Sequence, residues 1–164
     1  MKKFVTIISM LVLVAFSNEK TSAQGFSVGG GVYYATSLNN IGISLNGNYA
    51  INKQIQIAPS FIYFLTKDYI SWKAFDVDGH YKFSANNGLS IYGIAGIAIT
   101  MVSIDYPHNS FFEDVSVSSS EFGINLGIGA SKTIGNNLEG FSELKYTLNN
   151  GGYLKIGAGV LFRF

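Results

Sequence analysis

From residue 26 onward the chain alternates between apolar and small or polar side chains, and the alternation is broken and restarted several times. In "NIGISLNGNYAI" (40–51) Ile41, Ile43, Leu45, Tyr49 and Ile51 share one face, while Gly42, Ser44, Asn46, Asn48 and Ala50 share the other. A period of two is the signature of a strand with two unlike faces. The same pattern marks residues 26–36 (Phe26, Val28, Val32, Tyr34), 54–65 (Ile55, Ile57, Phe61, Tyr63, Leu65) and 73–83 (Phe75, Val77, Tyr81, Phe83). It returns in 89–103 (Leu89, Ile91, Ile97, Ile99, Met101), 120–131 (Phe122, Ile124, Leu126, Ile128), 138–148 (Leu138, Leu144, Tyr146, Leu148) and 153–164. Eight strands are predicted, and all 19 glycines lie outside the first 24 residues, a density that disfavours helices.

The breaks alternate in character. "NK" (52–53), "SANNG" (84–88) and "KTIGNN" (132–137) carry turn residues and fall at one end of the strands. At the other end lie "SLN" (37–39), "TKDYISW" (66–72), "IDYPHNSFFEDVSVSS" (104–119) and "NNGG" (149–152), two of which read as longer loops. An even number of antiparallel strands with short turns at one end and longer loops at the other is the layout of a transmembrane barrel.

Composition decides which face is inside. A lipocalin-like soluble barrel points its apolar face inward and covers its outside with Lys and Glu. Here only 13% of the residues are charged and the polar face is mostly Gly, Ser, Ala, Asn and Thr, which suits a crowded interior. On the apolar face Phe26, Tyr49, Tyr81, Phe83, Phe162 and Phe164 fall near the short-turn end, and Tyr34, Tyr63, Phe75, Phe122 and Tyr146 toward the loop end. Two aromatic belts flanking Val, Ile and Leu match the two interfaces of a bilayer, so the apolar face is expected to meet outer-membrane lipid.

The N-terminus reads differently. Lys2 and Lys3 precede an apolar run at 4–16, and small residues follow at 21–24, the arrangement of an export signal cleaved after Ala23 or Gln24. The run is shorter than the ~20 apolar residues of a spanning helix. Residues 25–164 then form one domain, and the signal would carry off 3 of the 11 basic and 1 of the 10 acidic side chains, leaving 8 and 9. That balance gives no basic field for nucleic acid. There is no Cys, so neither disulfides nor a lipidated cysteine contribute.

The C-terminal segment "GAGVLFRF" (157–164) places Ala158, Val160, Phe162 and Phe164 on the lipid face of the last strand. With this ending and the eight-strand pattern, the chain resembles the small outer-membrane barrel family of the OmpX/OmpA type, over nearly the whole of residues 25–164. The resemblance implies that Phe164, Phe162, Val160 and Ala158 serve as the signal read by the barrel-assembly machinery. It also implies a monomeric barrel with both termini on the periplasmic side of a Gram-negative outer membrane.

The inward positions carry Asp76, Asp78, His80, Lys82, Glu121, Glu139, Glu143, Lys145, Lys155 and Arg163. Paired charges filling the lumen are the favoured reading over an ion path, with Glu143–Lys155 and Glu139–Arg163 expected as pairs, because eight strands leave a bore that side chains fill. "DVDGH" (76–80) also suggests a metal site, but residues two apart on a strand are ~6–7 Å apart and would need ligands from other strands. "HNS" (108–110) with Glu113 or Glu121 echoes a hydrolase triad and the His-x-Ser spacing of outer-membrane lipid A deacylases, but a triad is defined by geometry rather than by spacing. "GIGASKT" (127–133) lacks the Gly before Lys of a phosphate loop, and no helix follows it. No cofactor or catalytic residue is therefore assigned. The expected function is a structural or surface-interaction role, with a narrow porin-like channel as the alternative and a deacylase-like hydrolase more distant. The 104–119 loop, with Tyr106, Phe111 and Phe112, is the candidate contact for a surface partner.

Overall fold

The computed structural model describes residues 25–67, 69–105 and 116–164. The predicted export signal, "HNS", Glu113 and the loop aromatics Tyr106, Phe111 and Phe112 lie outside the described residues. Eight strands run in chain order: β1 (Phe26–Ala35), β2 (Asn40–Ala50), β3 (Ile55–Lys67), β4 (Ile70–Asn86), β5 (Leu89–Asp105), β6 (Ser116–Thr133), β7 (Leu138–Leu148) and β8 (Tyr153–Arg163). Each pairs antiparallel with the next, and β1 pairs with β8 from Ser27↔Arg163 to Ala35↔Lys155, so the sheet closes on itself. Closure leaves no unpaired edge, which lipid would not tolerate. At the seam Phe164 donates its N–H to the Phe26 carbonyl (3.0 Å), and the two rings stack with centroids 6.3 Å apart.

Sidedness follows the alternation. Leu45, Ile97, Leu126, Ile128 and Val160 are exposed on the outer surface, while their neighbours Asn46, Ala98 and Asn125 are buried inside. Both aromatic sets face outward: Phe75, Ile99 and Phe122 are register partners across β4, β5 and β6 on the loop side, and Phe162 and Phe164 stack edge to face on the turn side.

Four connections are shorter than their polar sequences predict. "TKDYISW" is not a long loop: Lys67 pairs with Ile70, so strand pairing reaches into it from both sides. The "SANNG" turn contracts to Asn87–Gly88, whose positive φ values (50° and 77°) match a type I′ hairpin. β5 runs on to Asp105 and β6 starts at Ser116, so both ends of the expected 104–119 loop belong to strands. "KTIGNN" loses its first two residues to β6.

As a result β4, β5 and β6 are 17 or 18 residues long, against 10 to 13 for the other strands. Since about 9–11 residues span a bilayer, this wall projects beyond the lipid band on the loop side. Its polarity reverses there. The outward positions become Ser71, Lys73, Ser103 and Ser120, and Trp72 packs inward against the cluster formed by Ile62, Phe64 and Ala74.

Candidate functional site

The interior of the barrel is the one place where chemically distinctive side chains converge among the described residues. It is built in layers. On the loop side Ala35, Ile62, Phe64 and Ala74 form an apolar cap, all at 0% exposure. Below it lies a polar layer drawn from β4, β6, β7 and β8.

Lys145 Nζ lies 2.9 Å from Asp76 Oδ2 and 2.7 Å from Asp78 Oδ2, and Lys155 Nζ lies 2.6 Å from the same Asp76 oxygen. The two lysines are register partners on β7 and β8, so two like charges sit side by side in the wall. Asp76, reaching across from β4, holds both. Asp78 is fixed in turn by Asn125 Nδ2 (2.9 Å), whose own Oδ1 accepts from Thr147 Oγ1 (2.7 Å). Such bonding satisfies lone pairs that burial would otherwise leave bare.

Glu143 has a different set of partners. Tyr33 donates to its Oε2 (2.7 Å) and Tyr92 to its Oε1 (3.1 Å), while Lys145 stands 3.7 Å away. The expected Glu143–Lys155 pair is therefore not formed. The register explains it: Glu143 lies opposite Gly157 on β8, and Lys155 lies opposite Lys145. The tyrosine rings fit because their neighbours lack side chains. A Cβ at Gly157 would collide with the Tyr33 ring, and one at Gly129 with the Tyr92 ring. His80 stacks on Tyr92 with centroids 4.5 Å apart and rings 17° from parallel.

The remaining predicted residues sit at the ends of the bore. Glu139 is buried and bonded to Arg163 at the turn-side mouth, where the Arg163 side chain is 44% exposed and Lys82 is half-buried. Glu121 is not part of the buried cluster. It is exposed near the loop side and accepts from Asn149 Nδ2 (3.2 Å). Asp76 and Asp78 of "DVDGH" hold lysines rather than forming a ligand set, and among the described residues no group of three His, Cys, Asp or Glu is placed to hold a metal ion.

The uncharged partners were not predicted from sequence. Tyr33, Tyr92, Asn125, Thr147 and Tyr153 all occupy inward positions, and Tyr153 meets Thr100 Oγ1 at 2.9 Å. The available signal was an aromatic on the Gly-rich face facing a glycine on the adjacent strand, and that pairing requires the register.

Comparison with known proteins agrees with this geometry. The model of the family described as "Outer membrane protein beta-barrel domain" matches residues 8–164. No curated protein matches the chain at a significant level. Among solved structures, the N-terminal β-barrel domain of Pseudomonas aeruginosa OprF superposes with a TM-score of 0.68 at 18% identity, covering 85% of this chain and 97% of that one. Ail, the attachment invasion locus protein of Yersinia pestis, gives 0.61 at 19% identity, covering 88% and 100%. Neisserial surface protein A gives 0.66 at 16% identity, covering 89% and 100%. At these identities the likeness is one of fold. The family description supports an outer-membrane location. With a family match over almost its entire length and a closed eight-stranded barrel that carries its apolar face outward, the chain belongs to the outer membrane protein beta-barrel domain family.

Proposed function

We propose that this is a non-enzymatic outer-membrane protein whose lumen is filled by its own side chains and whose loop-side wall meets surface partners. The observation that carries the reading is the Asp76–Lys145–Lys155 cluster beneath the apolar cap, which joins opposite walls of the bore at full burial. A bore closed by ion pairs and by Phe64 leaves the projecting β4–β6 wall as the surface available for work. Ail is named for attachment and Neisserial surface protein A for its place at the surface, which suits this reading by analogy of fold. Tyr106, Phe111 and Phe112 in the 104–119 loop are the proposed contact residues. Planar-bilayer recording tests the closed lumen. Purified protein should give no stable single-channel openings, and openings of porin size would establish the porin-like alternative instead.

Biogenesis completes the proposal. Residues 1–24 are removed on export, the barrel inserts as a monomer with both termini periplasmic, and its outer face contacts lipid. Phe164, Phe162, Val160 and Ala158 form the outward C-terminal stripe offered to the barrel-assembly machinery. Deleting Phe164 removes a ring stacked on both Phe26 and Phe162, and outer-membrane levels should fall several-fold. Unchanged levels would refute the assembly role.

A further inference from the structure

Three buried side chains on adjacent strands hold polar atoms that lack a hydrogen-bond partner among the described residues: Asn48 Oδ1 on β2, Ser60 Oγ on β3, and both ring nitrogens of His80 on β4. Each side chain is about nine-tenths buried or more. Glu143 Oε1 stands 3.7 Å from His80 Nε2, beyond hydrogen-bond reach. These groups gather where the wall is irregular. β2 and β3 pair at Asn46↔Ser60 and again at Tyr49↔Ile57, but not at the residues between, where Pro59 supplies no N–H.

A cavity with about 20 Å³ open to the centres of water molecules lies against this stretch. Asn48, Ser60, His80, Glu139 and Glu143 line it, and it is also bounded by Gly47 and Pro59, which occupy lipid-facing positions. That volume holds water, which needs about 10–15 Å³ and two to four polar partners. The partners select water over a cation. Asn48 and Ser60 present oxygens, but an imidazole in either protonation state presents at least one N–H, and only a species that both donates and accepts satisfies all of them.

We propose that the turn-side half of the lumen is a blind water-binding chamber. Water enters past Glu139 and Arg163, is held by Asn48, Ser60 and His80, and stops at the Asp76–Lys145–Lys155 cluster, where Asp76 Oδ1 is a further unpartnered acceptor. The His80 imidazole is thereby reached by water and protons from one face of the membrane only. The inference rests on the closed-lumen reading and adds a side to it.

The chain contains no Cys, so single introduced cysteines report without background. Silver ion, close to water in size, is the probe, with uptake by folded protein in detergent read by intact mass and folding verified by heat-dependent gel migration. Ser60→Cys and His80→Cys should react at least about tenfold faster than Ala74→Cys in the apolar cap, whose thiol is reached only through local opening. If Ser60→Cys and His80→Cys are as inert as Ala74→Cys, the chamber is refuted and the closed lumen stands. If all three react equally fast, water passes from end to end and both readings fall. Should His80→Cys fail to fold, Ser60→Cys, a nearly isosteric change, decides the matter against Ala74→Cys.

Discussion

Asp76→Ala is expected to be the most damaging single substitution inside the barrel, at about 3–5 kcal/mol, the cost of removing one partner from a buried ion pair. Asp76 is fully buried and receives both Lys155 (2.6 Å) and Lys145 (2.9 Å) on one oxygen. Without it, two register-paired ammonium groups face each other, and Lys155 loses the carboxylate that holds it. Lys145 retains Asp78, so the loss falls mainly on Lys155. Urea titration of folding into lipid vesicles, read by heat-dependent gel migration, measures the effect. Converting Asp76 to Leu together with Lys155→Met should recover part of the loss, because it also removes the uncompensated charge while leaving the Lys145–Asp78 pair in place. An Asp76→Ala midpoint equal to wild type would show that the lysines are solvated rather than held.

How much of this was legible in the sequence depends on what each feature requires. Outward faces needed only the period of two and the scarcity of charge, so Leu45, Ile99, Leu126 and Phe162 read correctly in isolation. Strand ends needed more. Polar stretches such as "TKDYISW" suggest loops, but beyond the lipid band a strand meets water on its outer face, and Ser71 and Lys73 alternate with Trp72 as part of the sheet. Partners across the bore were not legible. Alternation states that Glu143 and Lys155 point inward, whereas strand tilt and stagger determine which side chains meet, and these placed Lys155 beside Asp76 and Glu143 beneath two tyrosines. Of the two pairs expected between β7 and β8, Glu139–Arg163 forms and Glu143–Lys155 does not, although each is a diagonal neighbour in the register, so adjacency of strands alone does not decide the partner.

The lipid face makes the second large prediction. Leu126 is 49% exposed on β6, four positions from Phe122 in the loop-side belt and six from Lys132 near the turn side, which puts it near mid-membrane. Its neighbours in the sheet are Ala95 and Tyr146, neither of which offers an anion. Leu126→Arg should therefore cost about 2–4 kcal/mol, the price of a guanidinium at the bilayer midplane. Depth supplies the control. Ser120 lies on the same face beyond Phe122, where the projecting wall has left the lipid, so Ser120→Arg should cost about 0–1 kcal/mol. Both variants are compared with wild type by urea titration in vesicles. A neutral Leu126→Arg would mean that the outer face does not contact hydrocarbon at that depth, while equal losses at both positions would mean that the projecting wall is embedded rather than raised above the membrane.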